Sequence, residues 1–451
     1  MKVPLSWLKD FVDISLPLAE LAHRLTFAGL DVESIHFVGL PLPANGVGKQ
    51  DIKISGLAWE RERIVVGAIS QVDPHPNADR LVLAQLDDGE RTHTVLTGAP
   101  NLFPYKGAGP LPQPLKVAYA KEGATLYDGH KPGQQTMTLK RGKIRGVESY
   151  SMACSEKELG ISDDHEGIIL LPDDAPVGMP LADYMGDAVF GIAITPNMAR
   201  NASILGVARE IAALTGQPLR QPDTTVRMAG AGIAGRVNIQ IRQPEINPRF
   251  VLALIENVAI RPSPYEMQRR LRLAGMRPIN NIVDVTNYVM LELGQPLHAF
   301  DFDVLRARAG GDAPTIITRL PEPGERLHTL DGVDRALDPF TILVCDTAGA
   351  LSLGGVMGGA ESEVSERTRN VLLEGAAWDF INIRRTLAAQ KDIKSEAGTR
   401  FSRGVHPAMA ERGVKRAAEL MRHLSGGVVA AGLLDEYPRP LAPVVVDLPL
   451  A

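Results

Sequence analysis

The fold of the C-terminal half is decided by the stretch RPINNIVDVTNYVMLELGQPLHAFD, residues 277–301. Its central segment, VDVTNYVMLELG, predicts a helix. The segment GQPLHAFD, residues 294–301, then makes a turn that is followed by His298, with the carboxylates Asp301 and Asp303 just beyond it. A lone histidine near carboxylates is more often structural or exposed than catalytic, so both roles remain open for His298.

The segments around this stretch predict one α+β domain over residues 217–430. VNIQI and FVLALIENVAI predict strands, whereas TILVCD, ALSLGGVMGG and NVLLEGA predict buried strands or loops. SPYEMQRRLRLAGM predicts a helix with Ser263 as its N-cap and Pro264 in its first turn. HPAMAERGVKRAAELMRHLSGG predicts a final amphipathic helix. Residues 431–451 begin another strand, and we expect them to be the start of a further, missing domain.

The N-terminal residues 1–45 predict a small α/β unit. Two helical segments, the second of them LAELAHRLTF, are followed by the strand-like DVESIHFVG and by a Pro/Gly linker at residues 41–48. We expect this unit to pack with residues 165–216. That segment contains an apolar strand, GIILLP, and a helix, SILGVAREIAALTG, with Gly216 at its C-cap.

Residues 52–164 have a different sequence pattern, which predicts short strands separated by turns. RIVVGAISQV and KVAYA predict strands, TMTLKRGKIRG predicts another, and two more surround the hairpin signal Asp87-Asp88-Gly89. About five strands in about a hundred residues indicate a small closed barrel, and the OB fold is the commonest such barrel that binds nucleic acid. A barrel that serves only in packing is the alternative.

Composition bounds the class of protein. A chain of 451 residues predicts about three domains, and 45% hydrophobic with 22% charged residues is typical of a globular protein. Cys154 and Cys345 lie far apart, so a disulfide framework is not expected. The chain has no apolar run of about 20 residues, so we expect a cytoplasmic protein without a membrane segment. A net charge of −5 argues mildly against free-standing RNA binding and restricts any RNA contact to local patches or to a surface shared with another subunit.

Three further features could carry chemistry. GGVMGG, residues 354–359, could bring backbone N–H groups close to a ligand or could be a tight turn. Glu374 closes the apolar strand VLLEGA, where its carboxylate could bind a buried hydroxyl or amine or could face solvent, and its spacing alone favours solvent. The run Lys140, Arg141, Lys143 and Arg145 could contact phosphates, with Lys143 and Arg145 on one face of a strand, or could protect a sheet edge. The motifs GxSxG, HExxH and the Walker loop do not occur, and we expect no metal site.

Together these motifs resemble bacterial phenylalanyl-tRNA synthetase beta subunits. MKVPLSWLKDFVDI and LTFAGLDVE are similar to the opening of that family. VVGAISQVDPHPNADRL, TGAPN and RGVESYSMACSEKELGI are similar to its tRNA-binding OB domain, and ITPN with LGVAREIAALTG is similar to the next segment. RPINNIVDVTNYVMLELGQPLHAFD, GGVMGG, VLLEGA and SEAGTRFSRGV are similar, in order and spacing, to its editing domain. The resemblance covers nearly the whole chain.

The resemblance implies a part of an α₂β₂ ligase that charges tRNA(Phe), with tRNA(Phe) and the alpha subunit as partners. It implies an editing domain that hydrolyses Tyr-tRNA(Phe), and a synthetic site in the alpha subunit. ATP and Mg²⁺ would serve the complete synthetase, and no cofactor is expected in this chain.

The resemblance also assigns roles to residues of the editing domain. Glu374 would accept the tyrosyl O–H in a charge-assisted hydrogen bond, and Gly358 would leave room for the ring. Arg277 and His298 would hold the ester and the terminal adenosine near a water molecule. Ser395 and Ala397 would line the pocket wall.

Three departures from the family pattern affect this expectation. The usual TEAS is SEAG here, the usual RFERG is RFSRG, and Met198-Ala199-Arg200 follows ITPN. They affect the geometry of the site more than its chemistry. The alternative function is a non-catalytic tRNA-binding scaffold that is inactive without the alpha subunit and the missing domains.

Overall fold

The computed structural model describes residues 1–43 and 52–448. The chain divides into two compact units. The first comprises Met1–Ala193 and Tyr265–Arg277, and the second comprises Ile194–Pro264 and the residues from Pro278 onward. Residues 44–48 of the predicted linker and the last three residues of the predicted tail, 449–451, lie outside the described residues.

The first unit contains a four-stranded sheet. Its strand order is Lys2–Pro4, Asp187–Ala193, Asp31–Gly39 and Lys53–Ala58. The last pair is parallel and the other pairs are antiparallel. The α-helices of this unit are Leu5–Leu8, Leu18–Phe27, Leu181–Met185 and Tyr265–Leu273.

A barrel forms the rest of the first unit. Its strand order is Met152–Ala153, Pro110–Ala120, Ile64–Pro74, Val82–Asp87 and Thr92–Thr97. The first and last strands of this list lie beside each other, so the sheet is nearly closed. Thr125–Tyr127 pairs with Thr136–Thr138, Gly142–Ile144 pairs with Val147–Ser149, and Pro100–Tyr105 is a 3₁₀ helix. The mixed α+β fold with a barrel is thus confirmed.

Two local predictions for the first unit are wrong. GIILLP forms no strand, because Leu170 makes only an isolated bridge to Val117. TMTLKRGKIRG does not form one strand, because its two halves pair with different partners. The second half ends at Ile144 and turns at Arg145 and Gly146, whose φ angles of 50° and 92° fit a two-residue hairpin turn. Lys143 and Arg145 therefore do not lie on one face of the same strand, because Arg145 is in the turn.

The second unit contains two sheets. In the six-stranded sheet the order is Met228–Gly232, Val428–Ala431, Arg249–Glu256, Val371–Ala377 and Leu297–Asp301, and Leu434–Glu436 pairs with Arg249–Glu256. In the five-stranded sheet the order is Asn238–Ile241, Thr315–Arg319, Leu343–Asp346, Gly349–Leu353 and Met357–Gly358. Arg326–His328 and Asp334–Ala336 form a separate hairpin. The α-helices are Ile204–Thr215, Asn281–Leu293, Phe302–Arg308, Phe380–Ala389, Glu396–Phe401 and Ala408–Ser425, and Pro196–Asn201 and Ala360–Ser362 are 3₁₀ helices.

Local sequence signals set the ends of the helices of this unit. The helix Ile204–Thr215 begins where Ser203 Oγ accepts a hydrogen bond from the Gly206 N–H at 3.0 Å. It ends at Gly216, whose φ of 69° is left-handed, as the sequence predicts. The helix after Ser263 begins at Tyr265, and the Ser263 hydroxyl donates to Asp284 Oδ2 at 2.6 Å, so its role as an N-cap stays a prediction.

The core of the second unit lies between its two sheets. Phe250, Phe300 and Leu372 from the six-stranded sheet pack there with Ile317 and Leu343 from the five-stranded sheet. The helices Asn281–Leu293 and Ala408–Ser425 cover the other face of the six-stranded sheet. None of the helices in residues 1–43 and 52–448 combines the length and the apolar character that crossing a membrane requires.

Candidate functional site

Strand pairing brings Glu374 and His298 together. Glu374 lies in the strand Val371–Ala377, and its register partner on the strand Leu297–Asp301 is His298. On its other side the partner of Glu374 is Leu252. Residues that are directly opposite in an antiparallel pair have side chains on the same face of the sheet, so Glu374 and His298 share a face.

That face points into the core between the two sheets. Leu372 and Ala376, two positions before and after Glu374, belong to the apolar cluster between the sheets. The intervening Gly375 faces the opposite way, where a Cβ would lie 2.6 Å from Val414 Cγ2 of the covering helix. The solvent-facing position that spacing alone favours for Glu374 is therefore wrong.

The carboxyl of Glu374 is buried without a complete set of partners. The residue is 6% exposed, and its Oε2 atom has no hydrogen-bond partner in the described part of the chain. Burial disfavours the charged form and raises the pKa of this carboxyl to about 8. The carboxyl is therefore mostly protonated at pH 7, and it can both donate and accept a hydrogen bond.

His298 presents a second unsatisfied polar atom. As a residue His298 is only half-buried, but its Nε2 atom is shielded from water and lacks a partner among the residues that the structure describes. Burial lowers the pKa of the imidazole to about 4, so the ring is neutral at pH 7. It packs edge-on against Phe300, with 4.5 Å between the ring centroids. A neutral imidazole can orient a water molecule or a hydroxyl group.

Gly358 lies against the His298 ring. A Cβ at this glycine would lie 2.7 Å from His298 Cε1 and 2.8 Å from Leu330 Cδ1. The position therefore accepts no side chain unless one of these neighbours moves. Of the residues that the sequence singles out in this domain, Glu374, His298 and Gly358 are the ones that the structure brings together.

Leu330 is a member of this site that the sequence does not reveal. Its N–H donates to the Gly358 carbonyl at 3.0 Å, although the two residues are far apart along the chain. The buried Arg335 holds the loop that carries Leu330, since its Nε donates to Thr329 Oγ1 at 3.0 Å and its Nη1 to Asp392 Oδ1 at 2.9 Å. No local pattern in HTLDG indicates this contact.

Ser395 and Ala397 have local structural roles. Ser395 is the N-cap of the helix Glu396–Phe401, and its Oγ accepts a hydrogen bond from the Gly398 N–H at 3.0 Å. Ala397 is half-buried and packs against the core between the sheets. A serine is a favoured N-cap, so the change from TEAS to SEAG keeps the capping group.

Arg277 falls in a different compact unit from the other candidates. It is exposed and belongs to the first compact unit, whereas Glu374, His298 and Gly358 belong to the second.

Two lysines of the basic run lie at a cavity. Lys140 and Lys143 line a cavity of about 730 Å³ on the barrel, together with Tyr150 and Ser151. Both lysines lack a hydrogen bond or ion pair to any described residue. Ser151 lies on the wall of this cavity with a buried hydroxyl that also lacks a described partner.

Of the two arginines of the run, Arg141 has side-chain partners. Arg141 donates to Glu122 at 2.9 Å and to Glu148 at 3.0 Å, and its guanidinium lies 4.3 Å from the centroid of the Tyr150 ring. The carbonyl of Arg145 accepts a hydrogen bond from Asn77 in the hairpin turn. In residues 1–43 and 52–448 there is no group of three histidine, cysteine or acidic residues that could hold a metal ion.

Comparison with protein families finds two matches within the chain. Residues 64–180 match the family described as putative tRNA binding domain, which is the barrel region. Residues 246–426 match the B3/4 domain, which contains Glu374, His298 and Gly358.

Curated relatives match nearly the whole chain. The phenylalanine–tRNA ligase beta subunit of Dehalococcoides mccartyi is 43% identical over 440 residues, which are 97% of this chain and 50% of the relative. The chain is a homologue of phenylalanine–tRNA ligase beta subunits. The beta subunit of Moorella thermoacetica is 42% identical over 456 residues, 99% of this chain and 51% of the relative. The resemblance to this family is confirmed, and the chain spans about half the length of these beta subunits.

Among solved structures, an N-terminal fragment of the phenylalanyl-tRNA synthetase beta-subunit from Pyrococcus horikoshii is 16% identical. The match covers 57% of this chain and 69% of that chain, with a TM-score of 0.27. At that TM-score the similarity carries no structural argument.

Proposed function

We propose that this chain is the tRNA-binding and editing portion of a phenylalanine–tRNA ligase beta subunit and that it hydrolyses Tyr-tRNA(Phe). The observation that carries the proposal is the buried Glu374 carboxyl, whose Oε2 lacks a partner in the described chain, beside the unpartnered Nε2 of His298. Buried polar groups are nearly always hydrogen-bonded, so an unsatisfied pair on one face of a sheet suits a polar ligand.

The chemistry of the substrate explains why such a site is needed. A pocket shaped for phenylalanine rejects an isostere with one extra hydroxyl by only about 10², because nothing in that pocket strongly opposes the hydroxyl. A site that hydrogen-bonds the hydroxyl selects in the opposite direction, since a phenylalanyl ring would leave the buried carboxyl unpaired.

The protonation state of Glu374 changes the expected bond. Because the pKa of this carboxyl is about 8, the tyrosyl O–H would donate to the carbonyl oxygen of a neutral acid at pH 7. The charge-assisted bond expected from the sequence requires the ionised carboxylate, which predominates only above about pH 8. This hydrogen bond contributes about 1 kcal/mol to the binding of the tyrosyl group. A bound phenylalanyl ring leaves the carboxyl unsatisfied, which costs about a further 1–3 kcal/mol.

The hydrolytic step is a matter of positioning in this proposal. A water molecule attacks the ester carbonyl, the ester oxygen leaves on the ribose, and tyrosine is released. His298 orients the water through its neutral ring, and Gly358 keeps the adjacent space clear of a side chain. Arg277, Ser395 and Ala397 remain predicted contacts of the tRNA end and of the pocket wall.

The test is deacylation by the full chain. Tyr-tRNA(Phe) and Phe-tRNA(Phe) are incubated separately with the wild type, with Glu374→Ala and with Glu436→Gln. Glu436 is an exposed carboxylate on the same sheet, so its variant controls for a glutamate substitution in this sheet that leaves the Glu374 site intact. We expect Glu374→Ala to lower tyrosine release by about 30- to 1,000-fold relative to phenylalanine release, which corresponds to the loss of about 2–4 kcal/mol. Tyrosine release at the uncatalysed rate by the wild type would refute the proposal.

A second candidate function, tRNA binding without catalysis, is favoured by the barrel cavity. Lys140 and Lys143 on its wall are free to neutralise phosphates, whereas Arg141 is already bound to two carboxylates. Each lysine that contacts a phosphate contributes about 0.7–0.9 to the slope of log binding constant against log salt. We expect Lys143→Ala to reduce this slope and Lys131→Ala, outside the cavity and paired with Asp128, to leave it unchanged. Equal slopes for all three proteins would argue against this site.

Aminoacylation belongs in this proposal to the complete synthetase. ATP, Mg²⁺ and the alpha subunit would act there, with the present chain supplying tRNA contacts and editing in the cytoplasm.

A further inference from the structure

The second unit contains a small pocket with an excess of positive charge. Its volume is about 240 Å³, and Arg200, Arg209, Arg400 and His406 line it. We propose that this pocket binds a phosphate group.

Arg400 is the buried centre of the pocket. The residue is 4% exposed, its Nε donates to the Ala202 carbonyl at 3.0 Å, and its Nη1 donates to Glu396 Oε2 at 2.6 Å. Its Nη2 makes no hydrogen bond to any described residue. A guanidinium N–H group without a protein acceptor is available to a ligand, and a phosphate oxygen is a strong acceptor for it.

A further arginine adds positive charge to the pocket. Arg209 lines the same pocket and makes no ion pair with any described residue. Burial and, second, the charge of Arg209 lower the pKa of Arg412. For Arg400, burial lowers the pKa, Glu396 raises it, and the charge of Arg403 lowers it to a smaller extent. Burial is the larger cause in both cases. An anion in the pocket would offset the positive charges of Arg209 and Arg400, which both line it.

Acidic side chains offset only part of this charge. Glu396 pairs with Arg400, and Glu210 pairs with Arg200 at 3.3 Å. Arg209 is left without a counter-charge among the residues that the structure describes.

A helix N-terminus also meets the pocket. Ser203, the N-cap of the twelve-residue helix Ile204–Thr215, lies on the pocket wall. The first N–H groups and the dipole of a helix favour an anion at this end, which reinforces the guanidinium groups. Leu293 and Met409 form an apolar part of the wall, against which a sugar could pack.

A phosphate group could come from the tRNA backbone or from a small phosphate compound. The tRNA source rests on the proposed function, and the free-phosphate source does not. Arg209→Gln is the variant that separates them, because Arg209 is exposed and its loss removes no hydrogen bond within the described protein. Arg367→Gln is the matched control, since Arg367 is exposed in the same unit and lies outside the pocket.

The experiment measures tRNA(Phe) binding by the full chain at several salt concentrations, and binding of inorganic phosphate by calorimetry. With tRNA as the source, Arg209→Gln weakens tRNA binding about fivefold near 0.1 M salt and lowers the salt slope by about 0.7–0.9, while Arg367→Gln does neither. With a small compound as the source, inorganic phosphate binds the wild type and not Arg209→Gln, and tRNA binding is unchanged. If Arg209→Gln and Arg367→Gln behave alike in both arms, the pocket is not a phosphate site.

A separate readout keeps this inference apart from the editing proposal. Arg209→Gln should leave the preference for tyrosine over phenylalanine release unchanged, because the pocket does not include Glu374. Binding is measured directly, so the test stands even if the chain releases no tyrosine.

Discussion

Replacing Glu374 with glutamine should make the protein more stable, and increasingly so as the pH rises. The pKa of the Glu374 carboxyl is raised by burial from 4.5 to about 8. Between these values the folded state keeps a proton that the unfolded state has lost. The contribution of this carboxyl to the free energy of unfolding is therefore fully present below pH 4.5. It decreases as the pH rises from 4.5 to about 8 and does not change further at higher pH. Glutamine has the same shape and no ionisation, so it removes the dependence.

The size of the effect follows from the two pKa values. Ionisation of the unfolded state costs the wild type about 2 kcal/mol of stability at pH 6 and about 4.5 kcal/mol at pH 8.5. The advantage of the Glu374→Gln variant should therefore grow by about 2.5 kcal/mol between these pH values, which is about 70-fold in an opening equilibrium. The contribution of His298 is the same in both proteins and cancels in the comparison.

Hydrogen exchange followed by mass spectrometry can measure this growth. The peptide that covers the strand Val371–Ala377 reports opening of the six-stranded sheet, and the ratio of protection between variant and wild type is taken at each pH. Glu436→Gln, on the exposed edge strand of the same sheet, should show no growth. A ratio for Glu374→Gln that is the same at pH 6 and pH 8.5 would show that Glu374 is not a buried neutral acid.

Three other substitutions test separate parts of the structure. Gly358→Ala should lower tyrosine release about tenfold in the deacylation assay, because a Cβ 2.7 Å from His298 Cε1 displaces the ring, and an unchanged rate would contradict this packing. Arg249→Met should lower the free energy of unfolding by about 2 kcal/mol in urea titrations, because it removes a bond of 2.9 Å to Asp435 from a nearly buried guanidinium. Gly216→Ala should cost about 1 kcal/mol in the same titrations, since its φ of 69° strains any other residue while its surroundings are open, and a neutral result would place the helix end elsewhere.

The helices were predictable because their signals are local. Ser203 and Gly216 bound one helix, and the segment VDVTNYVMLELG forms the helix Asn281–Leu293 with Gly294 in a left-handed conformation. Caps and helical periodicity act within a few residues, so a sequence displays them directly. Strands were less predictable. GIILLP is apolar enough for a strand but finds no continuous partner, and partners are supplied by distant parts of the chain.

The sequence by itself determined the family, the fold class and the identity of the candidate residues. It placed Glu374 at the end of an apolar segment, where the spacing predicted a side chain that faces solvent. Only the tertiary structure decided that this carboxyl is buried, because the strand Val371–Ala377 lies between two others and beneath a second sheet. That burial raises the pKa of Glu374, and the same packing brings in Leu330 from a loop with no signal of its own. Burial depends on all the neighbours at once, and no short segment of sequence contains them.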